Sequence, residues 1–216
     1  MKCKGAIFDM DGVLFDTERL YQEIWQEIAK ERQITPGSGF VREISGTSGR
    51  KMLQVVEKHY QVSDGLPIIE ACMSRMRNRL SESIPVKEGV SDILRFLKEK
   101  GVRTAVASST GRQQIEQNLR MSGIRDYFME IVSGQEVKNG KPAPDIYLYA
   151  AEKIGCRAEE CFAFEDSENG VRSGYAAGCV TIMIPDLIEP EDGILSCCYR
   201  ICRNLKDVQK EIKNMI

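Results

Sequence analysis

The sequence predicts an α/β protein, a three-layer α/β/α core around a parallel sheet, with an all-helical domain inserted into it. Three observations predict it. From about residue 85 onward, apolar runs of strand length alternate with helical patterns, which implies a parallel sheet with helices on its faces. Between Asp16 and about Ser83 the apolar spacing is helical and no strand pattern occurs. The apolar run Gly5 to Phe8 reads as a strand that helices alone cannot bury on both faces, so it belongs with the later strands.

Taken in order, the strand Gly5 to Phe8 ends in two acids, Asp9 and Asp11, within FDMDG. After Asp16, Leu20, Ile24 and Ile28 fall four apart with Tyr21 and Trp25 beside them, so a helix follows, capped by Asp16 or Thr17. Further helices are predicted over 50–60 and 67–82 from the spacing of Met52, Val55, Val56 and Tyr60, and of Ile68, Cys72, Met76 and Leu80. After Pro85 come a helix 88–100, a strand 104–107, a helix 112–122, a strand 130–132, a helix 143–154, a strand 161–164, a helix 167–177, a strand 180–184 and a last helix 204–215. The expected boundaries are 1–15 with 86–216 for a Rossmann-like core and 16–85 for the helical insert, which leaves and returns beside Asp9 and Asp11.

Composition narrows the function classes. Thirty Lys and Arg against 32 Asp and Glu leave a net charge of −2, too little basic field to grip nucleic acid. The first apolar run is too brief for a signal peptide and no later stretch is long enough to span a bilayer, so a cytoplasmic protein without a membrane partner is expected. The eight cysteines are scattered through a chain that needs no stapling and read as reduced and mostly packed. Cys197, Cys198 and Cys202 lack the second pair a zinc site requires, and His59, between Lys58 and Tyr60, reads as a surface residue. Tyr21, Trp25, Met52, Met73 and Met76 read as packing of the insert rather than as a binding box. Nothing points to an obligate protein partner, and a monomer suits the composition.

The chemistry lies at the predicted strand ends, where open parallel sheets bind ligands. Asp9 and Asp11 follow the first strand, Ser108, Ser109 and Thr110 the second, and Glu165 and Asp166 the strand Cys161 to Phe164; Lys141 sits in the loop NGKPAPD. Gathered carboxylates repel, by about 4 kcal/mol for two charges ~4 Å apart at an effective dielectric of 20, and a divalent cation relieves this. Oxygen ligands without His or Cys favour Mg²⁺ over zinc. The Ser108 to Thr110 segment is expected to open a helix whose free N–H groups favour an anion, and Lys141 adds a positive charge. The combination suits a phosphoryl group. Singly, each piece has a plain reading: an acidic turn at DMDG, a helix cap at Ser108 or Ser109, a solvated Lys141, helix-start acids at Glu165 and Asp166. An EF-hand loop fits badly, because Gly12 comes too early and a strand precedes it.

In this order DMDGVLFDT, AVASS, the lysine of GKPAPD and FEDSENG resemble the four motifs of the haloacid dehalogenase superfamily, in the branch similar to beta-phosphoglucomutase and small sugar-phosphate phosphatases. The resemblance covers essentially the whole chain, including the helical cap after the first motif. It implies that Asp9 attacks phosphorus to form an aspartyl-phosphate and that the Asp11 side chain is the general acid and base. It implies a Mg²⁺ ion held by Asp9, the Asp11 backbone carbonyl, Asp166 and Glu165, directly or through water. Ser108, Ser109 and Lys141 would hold the phosphoryl group. Gly46, Thr47 and Arg50 of the cap loop, with Thr110, are candidate substrate contacts.

Dehalogenases of the superfamily lack the second acid, so Asp11 points to phosphoryl transfer. Where the mutase carries a cap histidine, this chain has Tyr21. The mutase lysine before Gly46 is Ser45, its phosphate-binding cap arginine falls at Gly49 unless a one-residue shift brings in Arg50, and its Lys-Asn pair after the second motif is Gly111-Arg112. The expectation is a Mg²⁺-dependent phosphatase of a small phosphorylated metabolite, with the cap closing over the reaction. A phosphosugar mutase and a non-catalytic phosphometabolite-binding module are the alternatives.

Overall fold

The computed structural model describes residues 2–45, 47, 49–186, 190 and 192–216. The chain forms two compact units, Met1–Asp16 with Pro85–Ile216, and Thr17–Ile84.

The first unit is built on six parallel strands: β1 (Gly5–Phe8), β2 (Arg103–Ser108), β3 (Glu130–Ser133), β4 (Cys161–Glu165), β5 (Val180–Met183) and β6 (Arg200–Ile201), in the order β3-β2-β1-β4-β5-β6. Its helices are α5 (Val90–Glu99), α6 (Arg112–Met121), α7 (Asp145–Lys153), α8 (Glu168–Ala176) and α9 (Leu205–Ile212). From β1 the chain winds outward through α5 and α6 to β3, then crosses back and winds the other way through α7 and α8 to β5. Right-handed crossovers therefore put these two helix pairs on opposite faces and make three layers. The strands alternate accordingly. Ile7, Ala105, Ala107, Val132 and Ala163 pack with Ile146, Tyr147 and Ala150 of α7. Phe8, of opposite parity, meets Phe164 and Phe128 with ring centroids 4.6 and 5.8 Å apart.

The topological reversal lies between β1 and β4, whose register pairs Phe8 with Phe164. Such a reversal opens a crevice at the carboxyl ends of the strands. Asp9 extends the β1 side of that crevice, its N–H donating to Phe164 O at 2.9 Å, and Glu165 is the last residue of β4.

After β1 the chain turns through Gly12 and returns past Pro85. A bridge pairs Phe15 with Val86, and Asp16 N–H donates to Pro85 O at 2.8 Å. The second unit comprises α1 (Thr17–Glu31), α2 (Phe40–Ile44), α3 (Gly49–Tyr60) and α4 (Leu66–Glu82). Its core holds Ile24, Trp25, Ile28, Phe40, Val56, Tyr60, Ile68, Cys72 and Met76. Trp25 meets the rings of Phe40 and Tyr60 edge-on, and Tyr60 Oη donates to Trp25 O at 2.7 Å. Trp25 and Met76 are therefore packing residues, and Tyr21 Oη donates to Met73 Sδ at 3.5 Å.

Two sequence expectations are corrected. His59 is buried rather than on the surface, packed 5.4 Å from the Phe40 ring with Nε2 3.3 Å from Glu43 Oε2. Ser108 to Thr110 do not open a helix, because α6 begins at Arg112 after the extended Gly111. The five-residue α2 and two-residue β6 are additions, too short to leave a periodic signal. No helix among the described residues is long and apolar enough to cross a membrane.

Candidate active site

Asp9, Glu165 and Asp166 each offer a carboxylate oxygen, and these oxygens lie within 4.8 Å of one another. Asp9 and Glu165 are buried, Glu165 completely. Unpaired ionised groups there would be costly, so their partners decide the chemistry. Lys141 supplies the charge: its Nζ is hydrogen-bonded to Asp9 Oδ1, lies 2.5 Å from Glu165 Oε1 and also donates to Ala107 O at 3.1 Å. Its side chain is only 8% exposed, which rules out the reading of a solvated loop lysine.

The fold brings the lysine there by ending β3 at Ser133 and returning through the NGKPAPD loop to the first turn of α7. Tyr147, on that turn, donates Oη to Glu165 Oε1 at 2.6 Å, and Ser167 Oγ lies 3.3 Å from Oε2. Ser167 also caps α8 by accepting from Gly170 N–H, so Glu165 closes a strand and is not a helix-start acid. Sequence reasoning missed Tyr147 and Ser167. Their only signal was position, six residues after Lys141 and two after Glu165.

Two glycines leave room for the acids. Gly12 has a φ of +81°, and a Cβ there would stand 2.2 Å from Asp166 Oδ2. At Gly170 a Cβ would stand 1.9 Å from the Glu165 carboxyl carbon.

The charges shift one another strongly. Burial pushes the Asp9 carboxyl up, Lys141 pulls it back, and Glu165 and Asp11 raise it again, to about 8. Burial, then Asp9 and Glu165, hold Asp166 well above the usual carboxylate range; Asp186, which follows β5 and pairs with Lys87 at 2.5 Å, adds to this. Burial pulls the Lys141 ammonium down, but Asp9 and Glu165 outweigh it and keep its pKa above the ordinary value. Three acids beside one ammonium make a centre of oxygen donors whose raised carboxyls a cation would hold ionised. That is the donor set of a hard divalent cation.

Asp11 stands beside this cluster. Its Oδ2 accepts from Thr110 Oγ1 at 3.0 Å. Ser108 is buried at the end of β2 and its Oγ accepts from Thr110 N–H at 3.1 Å; Ser109 is exposed. Arg112 is held by Glu136 and the Ile131 carbonyl. Of the cap positions, Thr47 and Arg50 belong to the helical unit, with Thr47 Oγ1 bonded to Ile44 O at 2.6 Å and Arg50 exposed. Gly46 lies outside the described residues. Ser45 Oγ donates to Glu18 Oε1 at 2.6 Å and is tied to its own unit.

A doubly wound parallel sheet with a buried acid and lysine centre at its topological reversal defines an α/β protein with a polar ligand site at its strand ends. Residues 6–184 match the haloacid dehalogenase-like hydrolase family. The chain is 35% identical over 176 residues to a phosphorylated carbohydrates phosphatase of Thermotoga maritima, covering 81% of this chain and 82% of that one. It is 32% identical over 188 residues to hexitol phosphatase B of Escherichia coli K12, covering 84% and 83%. A Thermotoga maritima structure named as a candidate beta-phosphoglucomutase superposes with a TM-score of 0.82 at 29% identity, over 100% of both chains. The chain belongs to the haloacid dehalogenase-like hydrolase family, as an enzyme of its phosphatase class.

Proposed function

We propose that the chain is a Mg²⁺-dependent phosphatase that hydrolyses a small phosphate monoester, a sugar or polyol phosphate, through an aspartyl-phosphate on Asp9. The observation that carries this is Lys141 bridging Asp9 and Glu165 with Asp166 in the same group of acids. The named relatives, one a phosphatase of phosphorylated carbohydrates and one of hexitols, support the substrate class.

Asp9, Asp166, Glu165 and the Asp11 backbone carbonyl would hold Mg²⁺. When bound, the ion supplies positive charge that keeps Asp9 ionised and offsets charge on the phosphoryl oxygens. The remaining steps belong to the chain. Asp9 attacks phosphorus as the bond to the leaving alcohol breaks, and Asp11 gives that alcohol its proton. A water then attacks the phosphoryl group, Asp11 takes a proton from it, and phosphate leaves with Asp9 restored. Lys141, Ser108 Oγ and the Ser109 N–H hold the phosphoryl oxygens throughout.

A phosphosugar mutase is the second reading, favoured by the structural neighbour of that name. One experiment separates the two. Sugar and polyol phosphates are incubated with Mg²⁺ or with EDTA, and released phosphate and hexose 1-/6-phosphate exchange are both followed. Metal-dependent phosphate release without exchange is expected. Exchange outrunning release would make the chain a mutase, and neither would leave a binding module.

A further inference from the structure

We infer that Thr110 is a positioning residue for proton transfer: its hydroxyl holds the Asp11 carboxyl in one orientation toward the reacting phosphoryl group. The inference rests on the phosphatase reading above and gives Thr110 a role beside the expected substrate contact. Thr110 Oγ1 donates to Asp11 Oδ2 at 3.0 Å. A threonine hydroxyl can donate to an ionised carboxylate oxygen and accept from a protonated one, so the contact persists in both states of the acid. The contact therefore holds the carboxyl in one orientation whichever way the proton lies between the two oxygens.

Thr110 is itself held at both ends. Its N–H donates to Ser108 Oγ at 3.1 Å, and its carbonyl accepts from Ser133 Oγ at 2.7 Å. Ser133 is completely buried at the end of β3, and its Oγ also accepts from Gln135 N–H at 3.2 Å. The ends of β2 and β3, paired in register at Ser108 and Ser133, therefore aim one hydroxyl at an acid that follows β1. The geometry serves one orientation of the acid.

In the first half-reaction, the Asp11 carboxyl gives its proton to the departing alkoxide as the P–O bond breaks and the bond to Asp9 forms. In the second, the Asp11 carboxylate takes a proton from the attacking water. A leaving group stable as an anion needs no proton in the first half, and this allows a clean test. Thr110→Val and Thr110→Ser are compared with wild type on p-nitrophenyl phosphate and on an alkyl phosphate such as glycerol phosphate, reading kcat/KM, which reports only steps up to departure of the alcohol.

General acid and base catalysis contributes about 10²–10⁴-fold, and misorienting the acid forfeits part of it. For Thr110→Val the alkyl substrate should lose roughly tenfold or more beyond the loss on the aryl substrate, while Thr110→Ser keeps the wild-type ratio. Ser133→Ala, which frees the Thr110 carbonyl, should shift the ratio the same way by less, and serves if Thr110→Val does not fold. Equal losses on both substrates overturn the inference. Wild type inert on both would instead overturn the phosphatase reading, so the two failures are distinct.

Discussion

Replacing Gly170 with alanine sets a methyl carbon where the Glu165 carboxyl already lies, 1.9 Å from Cδ and 2.0 Å from Oε1. Carbon contacts sit near 3.5 Å, so the carboxyl must retreat by about 1.5 Å. The bonds to Oε1 from Lys141 at 2.5 Å and from Tyr147 at 2.6 Å cannot survive that shift. Hydrogen bonds to a charged group contribute about 1.5–3 kcal/mol each, so losing both costs roughly 3–6 kcal/mol. Alanine is the better helix former by about 1 kcal/mol, which offsets only part of this. The net loss of about 2–5 kcal/mol should move the urea midpoint down by roughly 1–2.5 M at an m-value of about 2 kcal/mol/M. Gly140→Ala is the control, since nothing lies within 4 Å of its Cβ, and it should stay within about 0.5 kcal/mol. A Gly170→Ala protein as stable as wild type would refute the reasoning, since Glu165 would then not be fixed where Lys141 needs it.

The other predictions follow from the same centre and from the helical core. Tyr147→Phe removes one bond to Glu165 without a cavity and should lower stability by about 1.5–3 kcal/mol, read by urea unfolding. In EDTA the protein should lose stability as pH rises from about 4 to about 8. Asp9 titrates higher folded than unfolded, the native state holds the extra proton across that window, and its contribution fades as pH passes the folded value. The slope should flatten in Asp9→Asn and on adding Mg²⁺; a slope unchanged in Asp9→Asn would assign it elsewhere. Trp25→Ala empties a buried site between Phe40 and Tyr60 and should cost about 3–5 kcal/mol in thermal unfolding of the helical unit.

Much of this site could be read from sequence because each of its acids follows a strand that is itself continuous in the chain. Asp9 and Asp11 close an apolar run, Glu165 closes another, and a parallel sheet carries such ends to one edge. What stayed hidden depends on partners distant in sequence. Tyr147 looks like one more apolar helix residue until the register of β4 brings Glu165 to its hydroxyl. Gly170 reads as a weak helix residue until the space its missing side chain leaves is filled by a carboxylate. His59 has polar and charged neighbours in sequence, yet Phe40, nineteen positions earlier, buries it. The start of α6 at Arg112 agrees with the expected helix 112–122; what failed was the reading of Ser108 to Thr110 as its opening, because serines and threonines mark helix caps and turns alike, and here Ser108 Oγ closes a turn onto Thr110 N–H.

The central claim is that Asp9 carries the phosphoryl group, and trapping tests it most directly. The enzyme is mixed with Mg²⁺ and a hydrolysed sugar phosphate, quenched during turnover and reduced with borohydride, which converts an acyl phosphate to an alcohol that peptide sequencing by mass spectrometry can place. Homoserine at position 9, absent without Mg²⁺ and absent in an inactive Asp9→Asn protein, is the expected result. Reduction at another residue, or wild-type turnover by Asp9→Asn, would contradict it.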